Sequence, residues 1–67
     1  MKIILNNTET ELDNNEITVQ ELLNVRKFTF KMLIIKVNGT IVKKDEYENT
    51  IIKDGDKVDV IHLISGG

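Results

Sequence analysis

Ile17-Thr18-Val19-Gln20-Glu21-Leu22-Leu23 is the stretch on which the fold turns. Thr18 with Glu21 three residues later is a capping box: the hydroxyl accepts from the amide of the third helical residue, and the carboxylate accepts from the amide of the cap. Ile17 and Leu22 occupy the two positions of a hydrophobic staple around the same start. The spacing predicts a helix from Val19 to about Arg26, with Val19, Leu22, Leu23 and the aliphatic stem of Arg26 on its inner side. A helix this short is marginal alone and needs an apolar surface to pack on. The flanking sequence must supply that surface.

On the N-terminal side, Met1–Leu5 is an alternating apolar run, Asn6-Asn7 is a turn signal and Thr8–Leu12 is a second run, so a hairpin is expected. Asp13–Glu16 reads as a polar break. On the C-terminal side, Arg26–Met32 is taken as an extended connection whose aromatics, Phe28 and Phe30, close one end of the core. Leu33–Val37, Asn38-Gly39 and Thr40–Val42 then form a strand, a turn with positive φ and a short strand. The charged stretch Lys43–Thr50 is a surface turn anchored by Tyr47. Asp54-Gly55-Asp56 is a tight turn feeding a last strand, Lys57–Ile64.

The predicted order is therefore strand, strand, helix, strand, strand, strand. A last strand apolar enough to lie centrally beside the first gives an α+β roll, a mixed five-stranded sheet with one helix packed across it. Ile3, Leu5, Ile35, Val37, Val58 and Val60 have the parity to face the helix. Ile61 and Leu63 then point to the opposite face, as an apolar docking surface beside the end of the chain.

Sixty-seven residues form one domain, 1–67, near the lower size limit for a core without staples. The chain contains no cysteine, which excludes a disulfide framework, a thiolate metal site and a thiol nucleophile. Net charge is −2, with both signs interspersed, so there is no basic footprint for nucleic acid. No apolar run approaches the roughly 20 residues of a membrane span, and no signal peptide opens the chain, so a cytoplasmic location is expected. His62 has neither a second histidine for a metal nor a nucleophile and acid beside it for catalysis. Asp54 and Asp56 flank a glycine but lack the other ligands of a calcium loop. No catalytic residue, bound cofactor or metal is predicted.

What remains is the ending, Ser65-Gly66-Gly67. The tail 65–67 is expected to carry a carboxylate clear of the folded body, with no Cβ on the last two residues to block a narrow channel. A carboxylate becomes an acyl donor when ATP converts it to an acyl-adenylate, and this chain has no ATP site, so a partner enzyme must provide the activation. A persulfide attacking that adenylate leads to a thiocarboxylate. An amine attacking it leads to an isopeptide-linked protein modifier.

Thr18-Val19-Gln20-Glu21-Leu22-Leu23, Ile35-Lys36-Val37-Asn38-Gly39, Tyr47, Asp54-Gly55-Asp56 and Ser65-Gly66-Gly67, in that order and spacing, resemble the ThiS family of β-grasp, ubiquitin-like sulfur carriers of thiamine biosynthesis. The resemblance covers essentially the whole chain. It implies that Gly67 is adenylated by a ubiquitin-activating-type adenylyltransferase using ATP and converted to a thiocarboxylate, with a donor such as a cysteine desulfurase supplying the sulfur and thiazole synthase receiving it. It implies that Gly66 and Gly67 carry the function, with Ser65 in the same tail, and that a hydrophobic sheet surface, supplied by Ile61 and Leu63, docks the partners. The small subunit of molybdopterin synthase shares the fold and the Gly-Gly ending and is the second reading. A ubiquitin-like modifier is the alternative of a different class.

Overall fold

The computed structural model describes residues 1–28 and 33–62. Strand β1 (Lys2–Leu5) turns through Asn6 and Asn7 into antiparallel β2 (Thr8–Glu11), with Leu5 opposite Thr8. Both asparagines take left-handed backbone angles, φ 51° and 66°. Asparagine tolerates that region better than other side chains, and two such residues give the turn twist that strands need. The turn between β4 (Leu33–Val37) and β5 (Thr40–Val42) repeats the device with Asn38 at φ 51° and Gly39 at 84°.

The polar break expected at 13–16 holds at 13–15, an exposed bend, and is corrected at Glu16, where a strand begins. Glu16–Thr18 is a strand, β3, and it pairs antiparallel with β6 (Ile51–Lys53), Ile17 facing Ile52. Both isoleucines are buried in the core. Three residues are too few for alternation to be read, and the pairing spans more than thirty positions, so neither strand announces itself locally.

Helix α1 (Val19–Val25) follows β3 directly. Its start is as predicted: Thr18 Oγ1 accepts from Glu21 N, and Glu21 Oε1 accepts from Thr18 N, each at 3.0 Å. The remaining early amides donate to the 47–50 loop, Val19 N to Thr50 O at 2.9 Å and Gln20 N to Tyr47 O at 3.0 Å. The loop that carries Tyr47, after a 3-10 turn at Lys44–Glu46, thus seats its ring in the core and its carbonyls on the helix.

The helix ends one residue earlier than expected, and Arg26 is its exposed C-cap, so its stem does not line the inner side. The start of the 26–32 connection is likewise not extended. Lys27 takes φ 57°, its N–H donates to Asn24 O at 3.2 Å, and the N–H of Phe28 reaches back to Leu23 O at 2.9 Å. These bonds define a Schellman motif, with Lys27 where glycine is usual. Phe28 packs against the core beside the helix end, as expected of it. Phe30 and Met32 lie outside the described residues.

The last strand, β7 (Lys57–His62), lies at the centre of the five-stranded sheet, whose order is β2-β1-β7-β4-β5. It runs parallel to β1 and antiparallel to β4, so the sheet is mixed as expected. Ile3, Leu5, Ile35, Val58 and Val60 are buried on the helix side with Val19, Leu22 and Leu23, and Val37 packs partly buried against them. Leu12, past the end of β2, is also buried. Burying a side chain of this size stabilises by roughly 1.5–3 kcal/mol, which is how so short a helix is held.

Candidate functional site

Side chains alternate along a strand, so the inward positions of the sheet fix which residues face outward. On the face away from α1 these are Lys2 and Ile4 of β1, Lys57, Asp59 and Ile61 of β7, Ile34 and Lys36 of β4, and Ile41 of β5. The register orders them. Ile61 lies opposite Ile34, and Asp59 lies opposite Lys36, which in turn lies opposite Ile41. Toward the other end, Ile4 lies beside Lys57, and Lys2 stands 3.8 Å from Glu9 in an exposed ion pair worth little to stability.

The outer face is therefore graded, from Lys57 beside Ile4 where β7 begins, through Asp59, Lys36 and Ile41, to the apolar pair Ile61 and Ile34 where it runs toward the end of the chain. Ile61 is on the outer face, as its strand parity predicts, and is 41% exposed. Its partner across the register, Ile34, was not singled out from the sequence and is half-buried; Ile41, opposite Lys36, is 60% exposed and Ile4, beside Lys57, 39%. The signal was present, because placing Ile35 inward necessarily turns Ile34 outward. Leu63, Ser65, Gly66 and Gly67 lie outside the described residues.

The base of the tail is held on both sides. Toward β4, β7 is paired from Val58 opposite Val37 to His62 opposite Leu33. Toward β1, Ile4 N donates to Asp56 O and Asn6 N to Val58 O, both at 2.9 Å, and the Asn6 side chain accepts from Val60 N at 2.8 Å. The other end of β7 is pinned by the Asp54-Gly55-Asp56 turn. Asp54 accepts from Lys2 N at 2.7 Å, and Asp56 accepts from Lys53 N at 2.9 Å and from the Asn38 side-chain amide at 3.1 Å. Asn38 in turn accepts from Lys57 N at 2.9 Å. Both carboxylates are thus engaged, Asp56 in closing the turn and Asp54 in tying it to the start of β1, and Gly55 at φ 87° supplies the reversal between them.

Among the described residues no three of His, Cys, Asp and Glu come together as a metal would require, and no helix is long and apolar enough to cross a membrane. His62 is an exposed residue at the end of β7. The amides at the start of α1 are taken by Thr18, Tyr47 and Thr50, so that helix end has no donors left over for an anion.

Comparison with known proteins agrees with this architecture. The ThiS family profile matches residues 3–67. The crystal structure of a thiamine biosynthesis protein, ThiS, from Geobacter metallireducens superposes with a TM-score of 0.91 at 26% identity, covering the whole of both chains. The sulfur carrier protein ThiS of Bacillus subtilis is 27% identical over 63 residues, 94% of this chain and 96% of its own. A thiazole synthase of Paramagnetospirillum magneticum is 30% identical over all 67 residues of this chain, which correspond to 20% of that enzyme. With the profile matched from β1 through the terminal glycines and the β-grasp arrangement shared, the chain belongs to the ThiS family.

Proposed function

We propose that this chain is a sulfur carrier for thiazole formation in thiamine biosynthesis, a protein co-substrate whose reactive group is the carboxylate of Gly67. The observation that carries the reading is the pairing of a family match extending through Gly67 with a central strand that is paired to β4 as far as His62, five residues earlier, and held toward β1 as far as Val60. Such a strand gives the reactive end a fixed origin, and its apolar outer face supplies adjoining contact area.

In the proposed chemistry the Gly67 carboxylate attacks the α-phosphate of ATP in a partner adenylyltransferase, releasing pyrophosphate and forming the acyl-adenylate. The terminal sulfur of a persulfide, delivered by a donor such as a cysteine desulfurase, attacks the acyl carbon and expels AMP. A second thiol cleaves the resulting acyl disulfide, leaving its own sulfur in a new disulfide and the thiocarboxylate on Gly67. The chain itself binds no cofactor in this scheme; ATP belongs to the activating partner. Ser65 and Gly66 form the segment that enters the partner's channel, and Ile61 and Leu63, together with Ile34 opposite Ile61, dock the body.

Thiazole synthase as the acceptor, ahead of molybdopterin synthase, is supported by the thiazole synthase of Paramagnetospirillum magneticum, where a segment similar to this whole chain shares a polypeptide with the synthase. The test is intact-mass spectrometry after incubation with ATP, cysteine, a desulfurase and the activating enzyme, for the full chain and for a form lacking Gly67. Exchange of one oxygen for sulfur at Gly67, absent from the shortened but folded form, is expected, since the last residue of a domain generally contributes little to folding. Sulfur loading of the shortened form would refute the carrier reading. Attachment to lysines of other proteins would point to a modifier instead.

A further inference from the structure

The junction between β1 and β7 contains a substitution of a side chain for main chain. In a regular parallel ladder the N–H of Val60 would go to the main-chain carbonyl of residue 6, one step beyond the Asn6 N to Val58 O bond. Asn6 has already entered the turn at φ 51°, and its side-chain oxygen takes the Val60 N–H instead, at 2.8 Å and partly shielded from water. This bond reaches 54 residues along the sequence and joins the β1–β2 hairpin to β7 one rung beyond the Asn6 N to Val58 O bond. Val60 itself is in the core, whereas Ile61, the next residue, is on the outer face.

We propose that Asn6 is a positioning residue for the reactive tail: by extending the ladder one rung past the end of β1, it fixes the direction in which β7 delivers the chain to the activating enzyme. The inference rests on the carrier reading above. A turn alone would accept glycine or aspartate at this position equally well, and only a residue with a side-chain acceptor also holds Val60. Asn6 does not touch the reacting carboxylate. Its effect is on how often the tail is presented in the orientation that the partner's channel accepts, so it acts on the productive association and not on the chemical step.

Two substitutions separate the roles. Asn6→Gly keeps the positive φ of the turn and deletes only the acceptor, while Asn6→Asp keeps both. Amide hydrogen exchange on the folded chain, and ATP–pyrophosphate exchange by the adenylyltransferase with the carrier as varied substrate, are measured for each variant. In N6G the Val60 amide is expected to exchange about fivefold faster and KM for the carrier to rise by about the same factor, the equilibrium weight of one net hydrogen bond, with kcat unchanged. N6D is expected to restore both. Faster Val60 exchange with an unaltered KM would reduce Asn6 to a structural residue and overturn the proposal, as would unchanged exchange at Val60. A wild-type chain that supports no pyrophosphate exchange would sink the carrier reading and this inference with it, whereas an active wild type with N6G equal to it would sink the inference alone.

Discussion

Replacing Ile61 by lysine separates the proposed docking role from folding, because the same side chain would contribute differently to each. Ile61 is 41% exposed at the apolar end of the outer face, so roughly three-fifths of the 1.5–3 kcal/mol for full burial is at stake, or about 1–2 kcal/mol. The aliphatic stem of lysine recovers part of that against Ile34, which leaves a cost of about 1 kcal/mol. For a domain of this size such a loss lowers Tm by about 4–8 °C. At the centre of an interface, burying an ammonium where an isoleucine packed costs about 2 kcal/mol or more, a weakening of roughly 30-fold in Kd. Val25→Lys is the matched control: Val25 is 59% exposed on α1, away from the outer face, and should change Kd by no more than about twofold. Isothermal titration against the adenylyltransferase and against thiazole synthase, with thermal unfolding of each variant alongside, reads both quantities. A Kd for I61K no further from the parent than that of V25K, with the fold intact, would refute the assignment of the outer face as the docking surface.

Two further outcomes follow from the turns and the cap. Asp56→Ala removes the acceptor for Lys53 N and for the Asn38 side chain at a largely solvated turn, and should cost about 1–2 kcal/mol by urea denaturation; added calcium should not stabilise the parent chain, since these carboxylate oxygens already close the turn. Thr18→Ala should cost about 1 kcal/mol, and the double variant with Glu21→Ala should cost less than the sum of the two single variants, because the two side chains form one reciprocal cap.

Local chemistry was legible where one residue type has one physical use. The capping box at Thr18 and Glu21, the Asn38-Gly39 turn and the Asp54-Gly55-Asp56 reversal all depend on contacts within a few positions, and each is found where the sequence puts it. The helix end was misread because Lys27 occupies the left-handed position that glycine normally marks, and Phe28, taken as part of an extended segment, closes the Schellman motif. The small sheet of β3 and β6 was missed because each strand is three residues long and each is justified only by the other.

The same division holds at the candidate site. Sequence by itself determined that Ile61 faces away from the helix and that a helix crosses a mixed sheet, since period and caps are short-range properties. Tertiary structure decided how the outer face is graded, because that depends on the register of four strands that are distant in the chain, and it gave Asn6 its second task. In sequence Asn6 is half of a turn signal. Only the parallel placement of β1 beside β7, a contact made across 54 residues, turns its side-chain oxygen into the acceptor that holds Val60.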